Sequence, residues 1–245
     1  MASARYPQFC ALARAAEILG ERWNLLIVRE LLLGPKRFSD LRDRLDGVSP
    51  SVLTARLARA QRLGLVRRSV LPPPAASTVY ELTEHGAGLR PVVYELIRWG
   101  GSLLYPARKS ERIEPDWMHL ALSALARRGA LPPRSILLRI REGTKETAVH
   151  VAGTSDGTAV TNQQASAEAT VVTDVKTLLA IISGALDPRA AATAGRITVE
   201  GDRTALAALP QLFEARRPER ERVPAVRAGR PRHPARDAAR GRSQA

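Results

Sequence analysis

The chain reads as an α+β protein in three parts: a helical, basic N-terminal domain, a neutral domain of strands and helices, and a basic tail. Three observations predict this. Residues 1–110 carry 17 Lys and Arg against 9 Asp and Glu, residues 111–213 carry 11 of each, and residues 214–245 carry 10 Arg against 4 acids. Apolar residues recur at helical spacing in the first part and switch to short, turn-bounded runs in the second. After Phe213 the chain is rich in Arg, Pro and Ala with almost no large apolar side chain, so residues 214–245 are expected to be disordered. With 245 residues there is length for two domains, and a pI near 11.2 with a formal charge of +14 points to a polyanionic partner.

The elements follow in order. FCALARAAEIL (9–19) has helical spacing and closes on Gly20, and ERWNLLIVRELLLG (21–34) is a second helix stopped by Gly34-Pro35. RFSDLRDRL places Phe38, Leu41 and Leu45 on one stripe, with Ser39 as expected N-cap; Asp46-Gly47 is a turn. The next helix has clear punctuation. Ser49 can cap its free amides, Pro50 at the first helical position gives up no needed hydrogen bond, and Gly64 stands where a left-handed cap belongs. Leu53, Leu57, Ala60 and Leu63 fall on one side of it. Ser51, Ala55, Arg59 and Arg62 fall opposite, flanked by Thr54 and Arg56. Residues 65–70 and 78–82 read as strands joined by LPPPAAS, and a last helix is expected from about Glu84 to Leu103.

A short helix, a tight turn, a second helix and a two-stranded ribbon make a winged helix-turn-helix, whose second helix is sized for the major groove of DNA. The expected base-reading side chains are Ser51, Thr54 and Arg56, with Arg59 near bases or backbone. Lys36, Arg37 and Ser49, at helix starts, are expected near phosphates, and Arg68 lies at the base of the wing. Phosphate contacts position a protein and make its binding salt-dependent; base contacts choose the sequence. The basic tail is read as added non-specific DNA affinity or as a merely solvated segment.

Residues 105–115, YPARKSERIEP, read as a linker. Beyond it come a helix (116–129), strand-like runs SILLRI, ETAVHVAG, GTAVTNQ and ATVVTD, an amphipathic helix DVKTLLAIISG, a strand RITVEGD and a closing helix RTALAALPQLF. This predicts a mostly antiparallel sheet with helices.

Residues 10–101 resemble the HxlR-type winged-helix regulators of bacteria. The resemblance rests on Cys10, Gly20-Glu21-Arg22-Trp23, Gly34-Pro35-Lys36-Arg37-Phe38, Gly47-Val48-Ser49-Pro50, Leu63-Gly64-Leu65-Val66, Pro73-Pro74, Leu82-Thr83 and Trp99-Gly100. It implies a homodimer, packed through the terminal helices, on an inverted-repeat operator. Ser51 and Ala75-Ala76-Ser77 stand where that family commonly carries basic residues. Some members use a cysteine matching Cys10 to sense oxidants; the other reading of this thiol is a small buried hydrophobe. Residues 169–213, with GALDP and the EGD turn, resemble the sterol-carrier-protein-2 fold. That implies an apolar tunnel for a lipid-like effector, or a fold kept only for stability or dimerisation. The resulting division is a winged-helix domain (1–104), a linker (105–115), a sterol-carrier-like domain (116–213) and the tail (214–245).

The function expected from all this is a DNA-binding regulator. The rival reading is a lipid carrier whose basic half attaches it to anionic surfaces. His85, His119, His150 and His233 are scattered and no HExxH, CxxC or GxSxG occurs, so no enzyme, metal or cofactor is expected. One cysteine forms no internal disulfide, no run reaches membrane-spanning length, and MASARYPQFC lacks a leader pattern; the expected location is the cytoplasm.

Overall fold

A computed structural model of the chain describes residues 6–214 except 75, 106, 107, 109, 110, 163 and 164. The expected disorder of the tail therefore lies outside the described residues, Glu214 apart. The first domain comprises α1 (Ala11–Leu19), α2 (Asn24–Leu32), α3 (Phe38–Arg44), α4 (Pro50–Arg62), β1 (Val66–Val70), β2 (Thr78–Leu82), α5 (Glu84–Ala87) and α6 (Arg90–Gly100). Leu41, Leu45, Leu53 and Leu57 are at most 1% exposed and pack with Ile27, Leu31, Val48, Leu65 and Val66. Each buried leucine is worth about 1.5–3 kcal/mol, so these four side chains fix α3 and α4 against the domain.

The helix α4 forms for the reasons its sequence carries. The Ser49 hydroxyl accepts from the Val52 amide at 3.3 Å, and Pro50 opens the helix. At the other end Gly64 takes φ +67°, and the amides of Gly64 and Leu65 donate back to the carbonyls of Gln61 and Ala60 at 3.0 and 2.9 Å. That paired closure needs a left-handed residue, which glycine supplies without strain. The strands β1 and β2 pair antiparallel with Arg68 opposite Tyr80. Lys36 exchanges two backbone hydrogen bonds with Tyr80 (3.0 and 2.8 Å), fastening the start of α3 to the ribbon.

Three local expectations are corrected. The second helix begins at Asn24 rather than Glu21, because Trp23 is left-handed at φ 81°. Ser39 is inside α3; the cap position is Arg37, whose amide donates to Asp40 Oδ2 at 3.0 Å. The helix expected over 84–103 is broken into α5, α6 and a 3₁₀ turn at Gly101–Leu103. Pro91, in the first turn of α6, has no amide to continue the ladder from α5.

The second domain comprises α7 (Trp117–Leu125), β3 (Ser135–Glu142), β4 (Lys145–Thr154), β5 (Gly157–Thr161), β6 (Ala169–Thr173), α8 (Val175–Ile182), α9 (Pro188–Thr193) and β7 (Thr198–Gly201). The sheet order is β5-β4-β3-β6-β7, with β3 and β6 parallel and the other pairs antiparallel. The run Arg203–Leu212 is a 3₁₀ helix with Pro210 inside, where an α-helix was expected. The short helix α9 was not foreseen; the Asp187 carboxylate caps it by accepting from the Ala190 amide at 2.9 Å.

One face of this sheet is covered. Along β3, Ile136, Leu138 and Ile140 are fully buried under the helices, while Leu137, Arg139 and Arg141 alternate onto the open face. Between sheet and helices, Leu138, Ile140, Val149, Val151, Val171, Leu178 and Ile181 are all fully buried, so the region where a tunnel was expected is filled by side chains. A cleft of about 330 Å³ lies instead on the open face, lined by Leu137, Arg139, Glu146, Ala148, Thr170 and Glu200. Among the described residues no helix is long and apolar enough to cross a membrane.

Candidate nucleic-acid interface

With Leu53 and Leu57 held in the core, the geometry of α4 decides what it presents. Ser51, Thr54, Ala55 and Arg62 are exposed, and the Ser51 hydroxyl lies 3.1 Å from that of Ser49. The outward face is therefore small and hydroxyl-bearing toward its N-terminal end and cationic at its C-terminal end.

Arg56 and Arg59 point elsewhere. Both are ion-paired to the Glu21 carboxylate in the connection between α1 and α2. Arg56 Nε also donates to the Arg22 carbonyl at 3.2 Å, and Arg59 Nη2 to the Glu17 carbonyl at 3.0 Å. Three residues apart, the two arginines share one flank of the helix, where a single carboxylate reaches both. Their side chains are only 27% and 22% exposed.

The remaining basic candidates surround the helix-turn-helix. Lys36 is half-buried and locked by its backbone to Tyr80, while exposed Arg37 donates from Nε to the Ser77 hydroxyl at 3.0 Å, tying the start of α3 to the loop that joins β1 and β2. Arg68 is exposed on β1, its guanidinium 5.8 Å from the centre of the Tyr80 ring. Its neighbour Arg67 pairs with Glu81 at 2.9 Å, and hydrogen bonds from Arg67 and Ser69 hold that carboxyl below its ordinary value.

Sequence reasoning left Arg62 out of the candidate set, although its place opposite Leu53 and Leu57 was visible. It also missed Glu21 as the partner of Arg56 and Arg59, since nothing in the chain signals contacts at such sequence separation. Cys10 is exposed in the single chain at the N-cap of α1, and its thiol makes no capping bond. Among the described residues no group of three or more His, Cys, Asp or Glu could hold a metal.

A capped helix held by leucines after a short helix and a tight turn, with a two-stranded ribbon behind it, defines a winged helix-turn-helix DNA-binding protein. The comparisons agree. The HxlR-like helix-turn-helix family matches residues 18–108 and the sterol carrier protein domain matches residues 123–219. The HTH-type transcriptional regulator YodB of Bacillus subtilis (strain 168) is 36% identical over 92 residues, which span 38% of this chain and 82% of YodB. The uncharacterized HTH-type transcriptional regulator YvaP of the same organism is 36% identical over 94 residues, 38% of this chain and 87% of the relative. The solved structure of reduced YodB is 33% identical, covering 41% of this chain and all of the other, with a TM-score of 0.35. The chain belongs to the HxlR-like helix-turn-helix family: it is a DNA-binding transcriptional regulator that carries a sterol-carrier-like domain behind its winged helix.

Proposed function

We propose that this regulator binds its operator as a homodimer, with Ser51 and Thr54 reading base edges and Arg62 joining them at the far end of α4. The carrying observation is the exposed face of α4 between the Ser49 cap and Arg62. Lys36, Arg37, Ser49 and Arg68 contact phosphates; Arg56 and Arg59 reach DNA only by exchanging Glu21 for it. The dimer rests on an apolar face exposed on the terminal helices, where Phe9, Leu12, Leu96 and Trp99 stand in solvent. Large apolar side chains left in solvent are the material of an interaction surface.

Two finer readings belong here. Cys10 sits beside Phe9 and Leu12, so an oxidised thiol would alter the same dimer face; Cys10→Ser should abolish any effect of a thiol oxidant on DNA binding. An apolar effector of the second domain would have to open its packed interior, and native mass spectrometry of the purified protein looks for one directly.

The test is selection of a preferred duplex from a random library, followed by fluorescence anisotropy against scrambled DNA at near-physiological salt. A preference of about 10³-fold or more is expected, and its loss in Ser51→Ala/Thr54→Ala with scrambled-DNA affinity intact identifies the readers. Equal affinity for all duplexes overturns the proposal. Sedimentation of the free protein as a monomer at micromolar concentration overturns the dimer.

A further inference from the structure

The two domains share a helix. Met118 and Leu122 of α7 belong to the core of the second domain, while Leu120, on another side of the same helix, is buried with Val28, Leu32 and Val93 of the first. Beside this apolar contact lies a buried charged cluster. Glu30 on α2 is wholly inaccessible and is satisfied from both domains. It accepts from Arg29 Nη2 at 2.7 Å and Arg44 Nε at 2.5 Å on one side, and from Trp117 Nε1 at 2.8 Å on the other. The Arg29 guanidinium stacks 3.9 Å from the centre of the Trp117 ring.

The cluster reaches the DNA-reading unit through its turn. Arg44 is the last residue of α3, and its Nη2 crosses to Asp116 Oδ1 at 2.5 Å. Arg112 donates from Nη1 to the Asp43 carbonyl at 2.5 Å and the Asp46 carboxylate at 3.0 Å. Asp43, Arg44 and Asp46 are the end of α3 and the turn into α4. The segment that opens the second domain therefore grips the hinge of the helix-turn-helix. A buried ionic cluster adds little net stability, but it penalises every arrangement that leaves one of its charges unpaired. That is a means of fixing one orientation.

We propose that the second domain braces the turn that carries α4, with Glu30, Arg44 and Trp117 acting as positioning residues for sequence-specific binding without touching DNA. This rests on the DNA-reading assignment above. Hydrogen bonds to base edges weaken steeply with misalignment, whereas phosphate contacts tolerate small shifts. Loosening the brace should therefore lower affinity for the preferred duplex and spare affinity for scrambled DNA.

The test uses the full chain carrying Trp117→Phe, which keeps an aromatic ring over Arg29 and deletes the indole donor, with Glu30→Gln as a second variant. Amide hydrogen exchange across residues 45–53, measured without DNA, reports the turn directly; anisotropy on the selected and scrambled duplexes reports the consequence. Exchange in that segment should quicken by about tenfold, and the specificity ratio should fall by about tenfold, with scrambled-DNA affinity held within a factor of about two. Unchanged exchange overturns the brace. A parallel fall of both affinities with the melting temperature also overturns it, by showing a role in folding alone. A wild type that selects no sequence sinks the regulator's operator reading instead, and the exchange result then decides by itself whether the brace exists.

Discussion

Glu21→Gln separates two accounts of the arginines on α4. The carboxylate holds Arg56 and Arg59 together on one flank, at side chains roughly a quarter exposed. Pairs this exposed to solvent contribute about 0.5–1 kcal/mol each, so replacing the charge with an amide of the same shape should lower stability by about 1–2 kcal/mol. The effect on DNA is opposite in sign. A negative charge leaves the flank of the reading helix, and two cations become available to phosphates. Each new phosphate contact steepens the dependence of log affinity on log salt by about 0.9, so two steepen it by about 1.8. Over the fourfold rise from 50 to 200 mM salt, the variant should lose about tenfold more affinity than the parent, while binding more tightly at the low end. The assay is anisotropy on one duplex across a salt series, with a thermal melt of the free protein alongside. An unchanged slope refutes the reasoning. It would mean that the hydrogen bonds from Arg56 to the Arg22 carbonyl and from Arg59 to the Glu17 carbonyl keep both side chains on the protein without Glu21.

Three further outcomes follow from the same contacts. Leu57→Ala, at 1% exposure, removes a side chain that anchors α4 and should cost about 2–5 kcal/mol in denaturant unfolding, with DNA binding lost in step. Ser49→Ala removes the acceptor for the Val52 amide and should cost about 1 kcal/mol, read as a lowered denaturation midpoint at unchanged slope. Asp174 gives a pH signature: burial alone would raise its pKa, but hydrogen bonds from the Thr177 hydroxyl (2.6 Å) and amide (2.8 Å) outweigh burial and hold it below the ordinary value. Its folded pKa is depressed, so its stabilisation is present above about pH 4 and fades as pH falls through the lower folded value. Asp174→Ala should accordingly be less stable than the parent at neutral pH, with the gap narrowing in acid melts.

Much of the first domain was legible because its punctuation is local. Ser49-Pro50, Gly64 and the leucines at 53 and 57 each act within one or two turns, and each stands in the structure where spacing put it. The strands of the second domain were legible for the same reason, since alternation along β3 marks the covered and open faces at every step. What failed was set by distance. At Gly86 an added Cβ would come within 2.0 Å of the Leu65 carbonyl, a crowding that exists only once the ribbon has folded back. Arg56 and Arg59 looked groove-facing on a helical wheel, because a wheel records angle and not the carboxylate waiting on one flank.

The shared helix α7 shows the same limit at the scale of domains. Its residues Met118 and Leu122 recur at helical spacing on one side, while the equally buried Leu120 falls on another, so on an isolated helix the three would not form a single stripe. Two separate cores explain the pattern, one taking Met118 and Leu122 and the other taking Leu120. A charge profile that changes from basic to neutral near residue 110 marks where composition shifts, yet Arg112, Glu114 and Asp116 just beyond it are bonded to the first domain. Charge asymmetry follows the partner each surface must meet, whereas packing follows which side chains must leave water. In this chain the two criteria divide the sequence at different places, and the residues between them are the ones that join the reader of DNA to the domain behind it.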